Sequence, residues 1–323
     1  MKKALIIGID NYPNDPLTGC VNDAKSVAEF IEKNGDGSPN FEVILKENVA
    51  TRSELLSLID ANFSGNSEAA LFYFAGHGII NELGGYIVTP DHRKYEEGVS
   101  MDDILKLANK SKIRDRIIIL DCCKSGAIAE PNFNDGSITP IKEGISILTA
   151  CKKDEDADEE VNGHGVFTNL LLDGLRGGAA DLKGNISPGS LYAYIDQALG
   201  AHEQRPVFKT NVTYFTSLRN VKSQVPVEIL RNIIKYFPTP EIEYKLNPSF
   251  EFTNAKSVEH NIIEPFANDE NVLIFKELQK FQSVGLVVPV KEEFMYFAAM
   301  NSDSCKLTAL GHHYWRLVKT NKI

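Results

Sequence analysis

The sequence has few cysteines and no long apolar run, and each absence excludes a class of protein. Its five cysteines are an odd number and are scattered without metal-ligand spacing, so neither a disulfide framework nor a zinc site is expected. No apolar run approaches the roughly 18 residues that a membrane-spanning helix needs. The run after Met1 ends in Gly8 and Asp10, unlike a signal-peptide cleavage site. We therefore predict a cytoplasmic protein that does not contact a membrane.

An excess of basic charge is also missing. The 323 residues include 34 Lys and Arg against 44 Asp and Glu, which gives a net charge of −10. Proteins that bind nucleic acid or anionic membranes through phosphate groups usually carry the opposite sign. Nucleic acid is therefore not expected as the main partner. The length predicts a globular protein with two domains.

Short apolar runs alternate with amphipathic segments in the first two thirds of the chain. Buried strands are predicted at 3–10, 69–75, 117–121 and 145–149, with helices between them. We predict no tight hairpin between strands in this part of the chain. This pattern favours an α/β fold with a mostly parallel central sheet that is covered on both faces.

The composition changes after residue 217, and this change predicts a domain boundary. We assign residues 1–217 to the α/β domain, 218–226 to a linker and 227–323 to a small α+β domain. The last segment is nearly balanced in charge, with 11 basic and 12 acidic residues. Its predicted elements are a helix, two strands and a helix, at 272–283, 286–290, 293–300 and 307–318. That order resembles a winged-helix unit.

The predicted strand 117–121 runs directly into two cysteines, Cys122 and Cys123. Strands of open α/β sheets present functional groups at their carboxyl ends, and a thiol there becomes a useful nucleophile beside a histidine. His77 ends another buried strand, so we expect it at the same sheet edge. Adjacent strand residues point to opposite faces, so only one of the two cysteines can face it. The N–H groups of Gly78 and of that cysteine would stabilise an oxyanion.

A second histidine, His164, also stands between two glycines. It follows an acidic run at 154–160 and precedes a predicted helix. Helix capping or a solvated turn is the simplest interpretation of such a position. We therefore prefer His77 as the catalytic histidine and predict that 154–160 forms a solvated loop.

The motifs at 74–78 and 121–126 together resemble the caspase-like cysteine peptidases, particularly metacaspases and bacterial caspase homologues. Further segments agree in order and position at 4–10, 19–23, 147–150 and 163–168. The resemblance covers residues 1–217 and implies a caspase-like α/β/α sandwich that hydrolyses peptide bonds with a Cys–His dyad and no cofactor. In this family the nucleophile is the second residue after the acid, which selects Cys123 and leaves Cys122 to pack in the core.

Asp23 and Asp121 are predicted to bind the substrate side chain before the scissile bond, at P1. Animal caspases accept Asp there through arginines and a glutamine, and this sequence has Asp121 at the glutamine position. Two carboxylates favour Arg or Lys and repel Asp, as the resemblance to metacaspases also implies. Asp23 has an ordinary alternative as a first-turn helix acid. Protein substrates with basic P1 residues are expected, and self-cleavage would occur at Lys142, Lys152 or Lys153.

Asp102 and Asp103 resemble the calcium ligands of metacaspases, because clustered oxygen ligands suit Ca²⁺. The loop after the predicted catalytic histidine, 79–85, contains a single acid, Glu82, whereas in those enzymes the loop is acidic. First-turn helix acids explain Asp102 and Asp103 equally well. We expect no calcium dependence.

Bacterial caspase-like proteins often carry an additional domain, in systems that respond to phage or stress. By this resemblance, residues 227–323 are expected to control the peptidase through a protein partner or a small-molecule signal. Their balanced charge disfavours DNA. Two alternatives stay open: a catalytically inactive scaffold or signalling adaptor with the same fold, and a DNA-binding regulator that acts through the C-terminal domain.

Overall fold

The structure is a computed structural model of the chain. It describes residues 1–94, 96–123, 125–129, 140–151, 163–200, 205–256 and 262–323. The chain divides into two compact units, Met1–Lys222 and Ser223–Ile323. The predicted loop at 154–160 and the residues Lys152 and Lys153 lie outside the described residues.

The first unit alternates strands with helices along most of its length. Its elements are β1 (Lys2–Gly8), α1 (Cys20–Glu32), β2 (Phe41–Glu47), α2 (Arg52–Phe63), β3 (Ala69–Ala75), β4 (Gly78–Asn81), β5 (Gly84–Arg93), β6 (Glu96–Ser100), α3 (Met101–Lys110), β7 (Asp115–Asp121), β8 (Ile145–Thr149), α4 (Val166–Asp173), β9 (Asn185–Ile186), α5 (Pro188–Ala198), β10 (Val207–Asn211) and β11 (Arg219–Asn220). Short helical turns cover Ser125–Ala129 and Gly174–Gly178.

A six-stranded sheet forms the centre of this unit, in the order β10-β8-β7-β3-β1-β2. Neighbouring strands from β8 to β2 run parallel, and the edge strand β10 is antiparallel to β8. Parallel strands need crossover connections, and the helices α1, α2 and α3 lie in those between β1, β2, β3 and β7. The predicted mostly parallel α/β arrangement is confirmed.

Both faces of the central sheet are covered, which is why β3 is buried along its whole length. Leu71 and Tyr73 belong to one apolar core, which also contains residues of α1, α4 and α5. Phe72 and Phe74 belong to a second core, with residues of α2 and α3. Alternate side chains of one strand therefore serve two cores, and the continuous apolar run in the sequence has this physical origin.

The prediction of no hairpin in this part of the chain is wrong for one segment. Strands β4, β5 and β6 form a separate antiparallel sheet immediately after His77. In the first hairpin, Asn81 Oδ1 accepts a hydrogen bond from the Leu83 backbone N–H at 2.8 Å. The four-residue strand β4 is too short to show an alternating pattern. The backbone N–H of Val88 donates to the His77 carbonyl at 2.9 Å, so the hairpin also supports the histidine.

The second unit is a smaller α+β assembly. Its elements are α6 (Val227–Leu230), α7 (Ile233–Tyr236), β12 (Tyr244–Lys245), α8 (Asp269–Ser283), β13 (Val287–Pro289), α9 (Met295–Met300), β14 (Ser304–Leu307) and α10 (Ala309–Lys319), with a short helical turn at Pro248–Phe250. The three strands form a sheet in the order β12-β14-β13.

The predicted strand at 293–300 is wrong, because this segment contains the helix α9 and the next strand, β14, comes later. The aromatic residues there favour a strand by propensity. Met295, Ala298 and Ala299 are buried together, however, at the spacing of one helical face. The helix–strand–strand–helix order therefore fails, and the winged-helix resemblance is not supported. No helix among the described residues is long and apolar enough to cross a membrane.

Candidate active site

Three neighbouring parallel strands end at one level of the sheet. Gly8 of β1 is in register with Ala75 of β3, which is in register with Asp121 of β7. His77 and Cys123 each follow two residues after these paired positions. The register of the sheet therefore brings the histidine and the cysteine to neighbouring places at the carboxyl edge, where α/β sheets carry their sites.

A cavity of about 120 Å³ opens at this edge. Its wall combines the candidate nucleophile, the candidate base and both candidate specificity acids. The lining residues are Leu17, Thr18, Gly19, Cys20, Asp23, Gly76, His77, Asp121, Cys122, Cys123, Gly163, His164 and Gly165. Residues that are distant in sequence thus converge on one small, partly apolar space.

His77 is held by the loop that follows β1. Its Nε2 lies 2.7 Å from the backbone carbonyl oxygen of Asp15 and 3.4 Å from Asp15 Oδ2. A carbonyl oxygen can only accept a hydrogen bond, so Nε2 carries a proton. In the neutral imidazole the lone pair is then on Nδ1. The Asp15 contact therefore selects the tautomer in which Nδ1 can act as a base.

Tyr12 fixes the same histidine from below. Its ring centroid is 4.5 Å from that of His77, and its hydroxyl accepts a hydrogen bond from the His77 backbone N–H at 3.1 Å. The hydroxyl donates to the carbonyl of Val88 at 3.2 Å. Burial raises the pKa of the Tyr12 phenol, so this hydroxyl keeps its proton and remains a donor.

The two adjacent cysteines occupy different environments. Cys123 is partly exposed, whereas Cys122 is buried and belongs to the core that contains α2 and α3. Burial raises the pKa of Cys122 well above its usual value, which keeps that thiol neutral. A β-carbon at Gly78 would come within 2.2 Å of the Cys123 carbonyl oxygen, so only glycine permits this close approach. The two predicted oxyanion donors therefore have neighbouring backbones, although Gly78 is not among the residues that line the cavity.

Two buried carboxylates form another part of the wall. Asp23 lies in the first turn of α1, and Asp121 ends β7. Thr168 donates to Asp121 Oδ2 at 2.6 Å, and the Tyr73 hydroxyl lies 2.7 Å from Thr168 Oγ1. Burial and then the charge of Asp23 raise the pKa of Asp121 to about 7. Burial raises the pKa of Asp23 as well. The negative charge of the cavity therefore increases with pH near neutrality.

The helix that carries Asp23 is attached to the sheet edge by Asp10. The Asp10 carboxylate accepts hydrogen bonds from the backbone N–H groups of Cys20 at 2.9 Å and Val21 at 3.3 Å. It replaces a local cap, since Gly19 at the N-cap position has no side chain to offer. Asp10, two residues after β1, therefore fixes the start of the helix that carries Asp23.

His164 also lines the cavity, which corrects its interpretation as a capping or solvated-turn residue. Its Nδ1 lies 2.5 Å from Asp23 Oδ1, and the backbone N–H of Gly165 donates to Asp23 Oδ2 at 3.3 Å. The side-chain amide of Asn22 donates to the carbonyl of Gly163 at 2.8 Å. The segment 163–165 therefore binds both oxygens of Asp23.

Comparison of the sequence with models of protein families gives a match to the caspase domain over residues 1–237. The chain belongs to the caspase family. This membership indicates a cysteine-type peptidase that acts on protein substrates. Among solved structures, the caspase-family chain is similar to caspase-1 from Spodoptera frugiperda, with 15% sequence identity over 69% of this chain and 91% of that one and a TM-score of 0.45. A search of the curated proteins finds no match.

The candidate calcium ligands of this caspase domain lie at the start of α3, and each contacts a basic residue. Asp102 Oδ2 is 2.5 Å from Lys106 Nζ, and Asp103 Oδ2 is 3.8 Å from Arg52. Across the part of the chain that the structure describes, no group of three His, Cys, Asp or Glu side chains is arranged to hold a metal. Independence from calcium stays a prediction.

Several residues of the candidate site were not predicted. Asp15 contacts His77 through its backbone carbonyl, and no residue type marks that role in a sequence. Thr168 lies inside the segment 163–168 that resembled the family, but its hydroxyl bond to Asp121 depends on the packing of α4 beside β7. His164 did have a signal, since it shares the Gly-His-Gly pattern of His77.

Proposed function

We propose that the chain is a cysteine endopeptidase that cleaves after Arg or Lys, with Cys123 as nucleophile and His77 as base. One observation carries this proposal: a single cavity contains the cysteine, the histidine and two buried carboxylates, Asp23 and Asp121. The first pair can perform acyl transfer. The second pair can bind a cation beside the reacting bond.

The chemistry begins when Nδ1 of His77 removes the proton from the Cys123 thiol. The thiolate attacks the substrate carbonyl carbon, and the negative charge moves to the carbonyl oxygen. The backbone N–H groups of Cys123 and Gly78 are the proposed donors to that oxyanion. The C–N bond then breaks, and the leaving amine takes the proton from His77. In the second half of the reaction His77 takes a proton from water, whose oxygen attacks the acyl-enzyme carbonyl. The C–S bond breaks, and the proton on His77 returns to the Cys123 sulfur.

The Asp15 carbonyl supports this sequence of steps because it fixes the histidine in one tautomer. The proton on Nε2 is bound at 2.7 Å, so the imidazolium formed during the reaction keeps an acceptor. The exposed Asp15 carboxylate adds a smaller attraction at 3.4 Å.

Specificity for a basic P1 side chain is proposed to come from Asp23 and Asp121. A guanidinium or ammonium group gains charge-assisted hydrogen bonds from these carboxylates in a partly desolvated space. An acidic P1 side chain would meet like charges there, at a cost of several kcal/mol. The arrival of a cation also favours the ionised form of Asp121, whose pKa lies at about 7.

Fluorogenic peptides that differ only at P1 test this function. We expect hydrolysis after Arg and Lys, none after Asp, and no hydrolysis by the Cys123→Ala protein. The assay is run with added Ca²⁺ and with a chelator, and equal rates are expected because Asp102 and Asp103 already contact basic residues. Preferred cleavage after Asp would overturn the specificity. Equal hydrolysis by Cys123→Ala would overturn the mechanism.

We further propose that the second unit controls the peptidase in a stress or anti-phage response. Its charge is nearly balanced, and Phe294, Tyr296 and Phe297 expose large aromatic surfaces, which favours a protein or small-molecule signal over DNA. The proposal is tested by challenging bacteria that express the chain with phage. Protection that is lost with Cys123→Ala supports a proteolytic effector, whereas protection that persists supports the scaffold alternative.

A further inference from the structure

The imidazole of His164 contacts the carboxylate of Asp23, which is a proposed binding group for the substrate cation. Its Nδ1 lies 2.5 Å from Asp23 Oδ1, and the Gly165 N–H binds Oδ2. A guanidinium binds a carboxylate best through both oxygens at once. The side chain of an arginine at P1 therefore has to displace His164 before it can use this carboxylate fully.

We propose that His164 gates the basic P1 subsite: its protonated side chain occupies Asp23 and excludes substrate, and loss of the proton opens the subsite. The inference rests on the proposed peptidase function and adds a residue that regulates its specificity. His164 is a specificity residue in this scheme. It does not touch the reacting bond.

The charges around His164 determine the direction of the effect. Asp23 faces it from α1, and Asp121 at the end of β7 lies on the same cavity. His77, Cys20, Cys122 and Cys123 complete the titratable groups of the wall. The Asp10 carboxylate binds the backbone at the start of α1. Protonated His164 neutralises Asp23, so the subsite offers little attraction to a second cation. Neutral His164 leaves the charge of Asp23 available, and the attraction returns as the pH rises.

If His164 had a purely structural role, the expected results would be different. If the imidazole only held the segment 163–165 in place, its replacement would weaken the binding of every peptide by a similar factor at every pH. The gating role affects cationic side chains alone, and it affects them mainly at low pH. A permanent positive charge at position 164 would also block the subsite at all pH values.

The test measures binding, so it does not depend on turnover. Fluorescent tripeptide amides that end in arginine or in citrulline, its neutral isostere, are titrated by fluorescence polarisation against the full chain carrying Cys123→Ala. The series compares His164 with His164→Gln and His164→Lys between pH 5.5 and 8. His92→Gln is the matched control, because His92 does not line the cavity.

At pH 5.5 we expect His164→Gln to bind the arginine peptide about tenfold more tightly than the His164 protein, with a difference below about threefold at pH 8. His164→Lys should bind it at least about tenfold more weakly at pH 8. The citrulline peptide should not distinguish the three proteins, which also verifies that each variant is folded. Residual pH dependence in His164→Gln belongs to Asp121, whose pKa is about 7, and to Asp23, whose pKa is also raised by burial.

Calorimetry in buffers of different ionisation enthalpy provides a second readout at pH 6. Binding of the arginine peptide should release more protons from the His164 protein than from His164→Gln. Equal proton release from the His164 protein and from His164→Gln would overturn the proposed gating by His164. Tight binding of the arginine peptide by His164→Lys would do the same. Neither result would contradict the proposed basic subsite. Equal affinity for arginine and citrulline peptides at every pH overturns the subsite itself, and the gate with it. Strong arginine binding without hydrolysis by the unmodified chain rejects the catalytic proposal alone.

Discussion

The histidines of the two Gly-His-Gly segments of this caspase domain line one cavity but have different surroundings. His77 follows the buried strand β3, and its Nε2 contacts Asp15, whose side chain is 84% exposed. His164 precedes α4 and contacts Asp23, whose side chain is 4% exposed. The same tripeptide therefore pairs with a solvated acid in one place and with a buried acid in the other.

This difference teaches that the partner, and not the motif, determines what each histidine can do. An ion pair with an exposed acid contributes little, so His77 is oriented mainly by the Asp15 carbonyl, and its Nδ1 is left for the proposed role as base. A buried carboxylate needs a partner, and the His164 imidazole compensates the charge of Asp23 when it is protonated. Substitutions can test each side of this comparison.

The largest effect is expected for Cys123→Ala, because it removes the proposed nucleophile. We expect kcat/KM on an Arg-P1 peptide to fall by at least about 10³-fold. The matched control is Cys122→Ala, which alters a buried core thiol and should stay within about threefold. Steady-state kinetics measure both variants. If Cys122→Ala loses the activity and Cys123→Ala keeps it, the assignment of the two thiols is reversed.

The comparison of the histidines predicts the next largest effect. His77→Ala should lower kcat by about 10²- to 10⁴-fold, because it removes the general base. His164→Gln should leave kcat within about threefold on a saturating Arg-P1 peptide at pH 8, because its proposed role ends once the substrate is bound. A similar loss of kcat in both variants would show that the two segments do not differ in function.

Asp121→Asn should lower the preference for arginine over citrulline at P1 by about tenfold or more at pH 8. In the unmodified chain this preference should increase as the pH rises through about 7, where Asp121 ionises. Below that value the carboxyl is neutral and attracts a cation weakly. Kinetics with the two peptides between pH 5.5 and 8.5 measure the effect, and a preference that decreases with pH would contradict it.

The same variant should also change stability. In the unfolded chain Asp121 ionises near pH 4, whereas in the folded chain it keeps its proton up to about pH 7. The folded state thus binds more protons in this range, so the free energy of unfolding falls as the pH rises. The free energy of unfolding of Asp121→Asn, taken relative to that of the unmodified chain, should therefore rise by up to about 4 kcal/mol between pH 4 and pH 8. Denaturant titrations of both proteins at pH 4 and pH 8 measure this change. If the two proteins differ in free energy of unfolding by the same amount at both pH values, the raised pKa of Asp121 is refuted.

The smallest effect is expected for Asp15→Asn. The backbone carbonyl that binds His77 is retained, and only an exposed carboxylate is lost. We expect kcat/KM to change by about threefold or less. A loss of more than about tenfold would mean that the Asp15 side chain orients the histidine, and the contrast with Asp23 would disappear.

The sequence predicted the central sheet and the meeting of His77 with the cysteines, because buried strands leave continuous apolar runs and parallel strands end at one edge. It did not predict the hairpin of β4 and β5, since four residues are too few to show a period. The helix α9 was also missed, because its aromatic residues favour a strand while its burial follows a helical face. The contact of His164 with Asp23 joins positions 141 residues apart, and no local pattern reports such a pairing.

The bonds from Asp10 to the start of α1 have a consequence for how the site tolerates motion. Asp10 follows β1 and binds the start of α1, which carries Asp23, and Cys123 follows β7 of the same sheet. The strands therefore set the distance between the proposed specificity acid and the proposed nucleophile. The sheet thus keeps this distance constant. Changes in the length of surface loops should alter how fast a substrate enters, yet they should leave the position of the cut within that substrate unchanged.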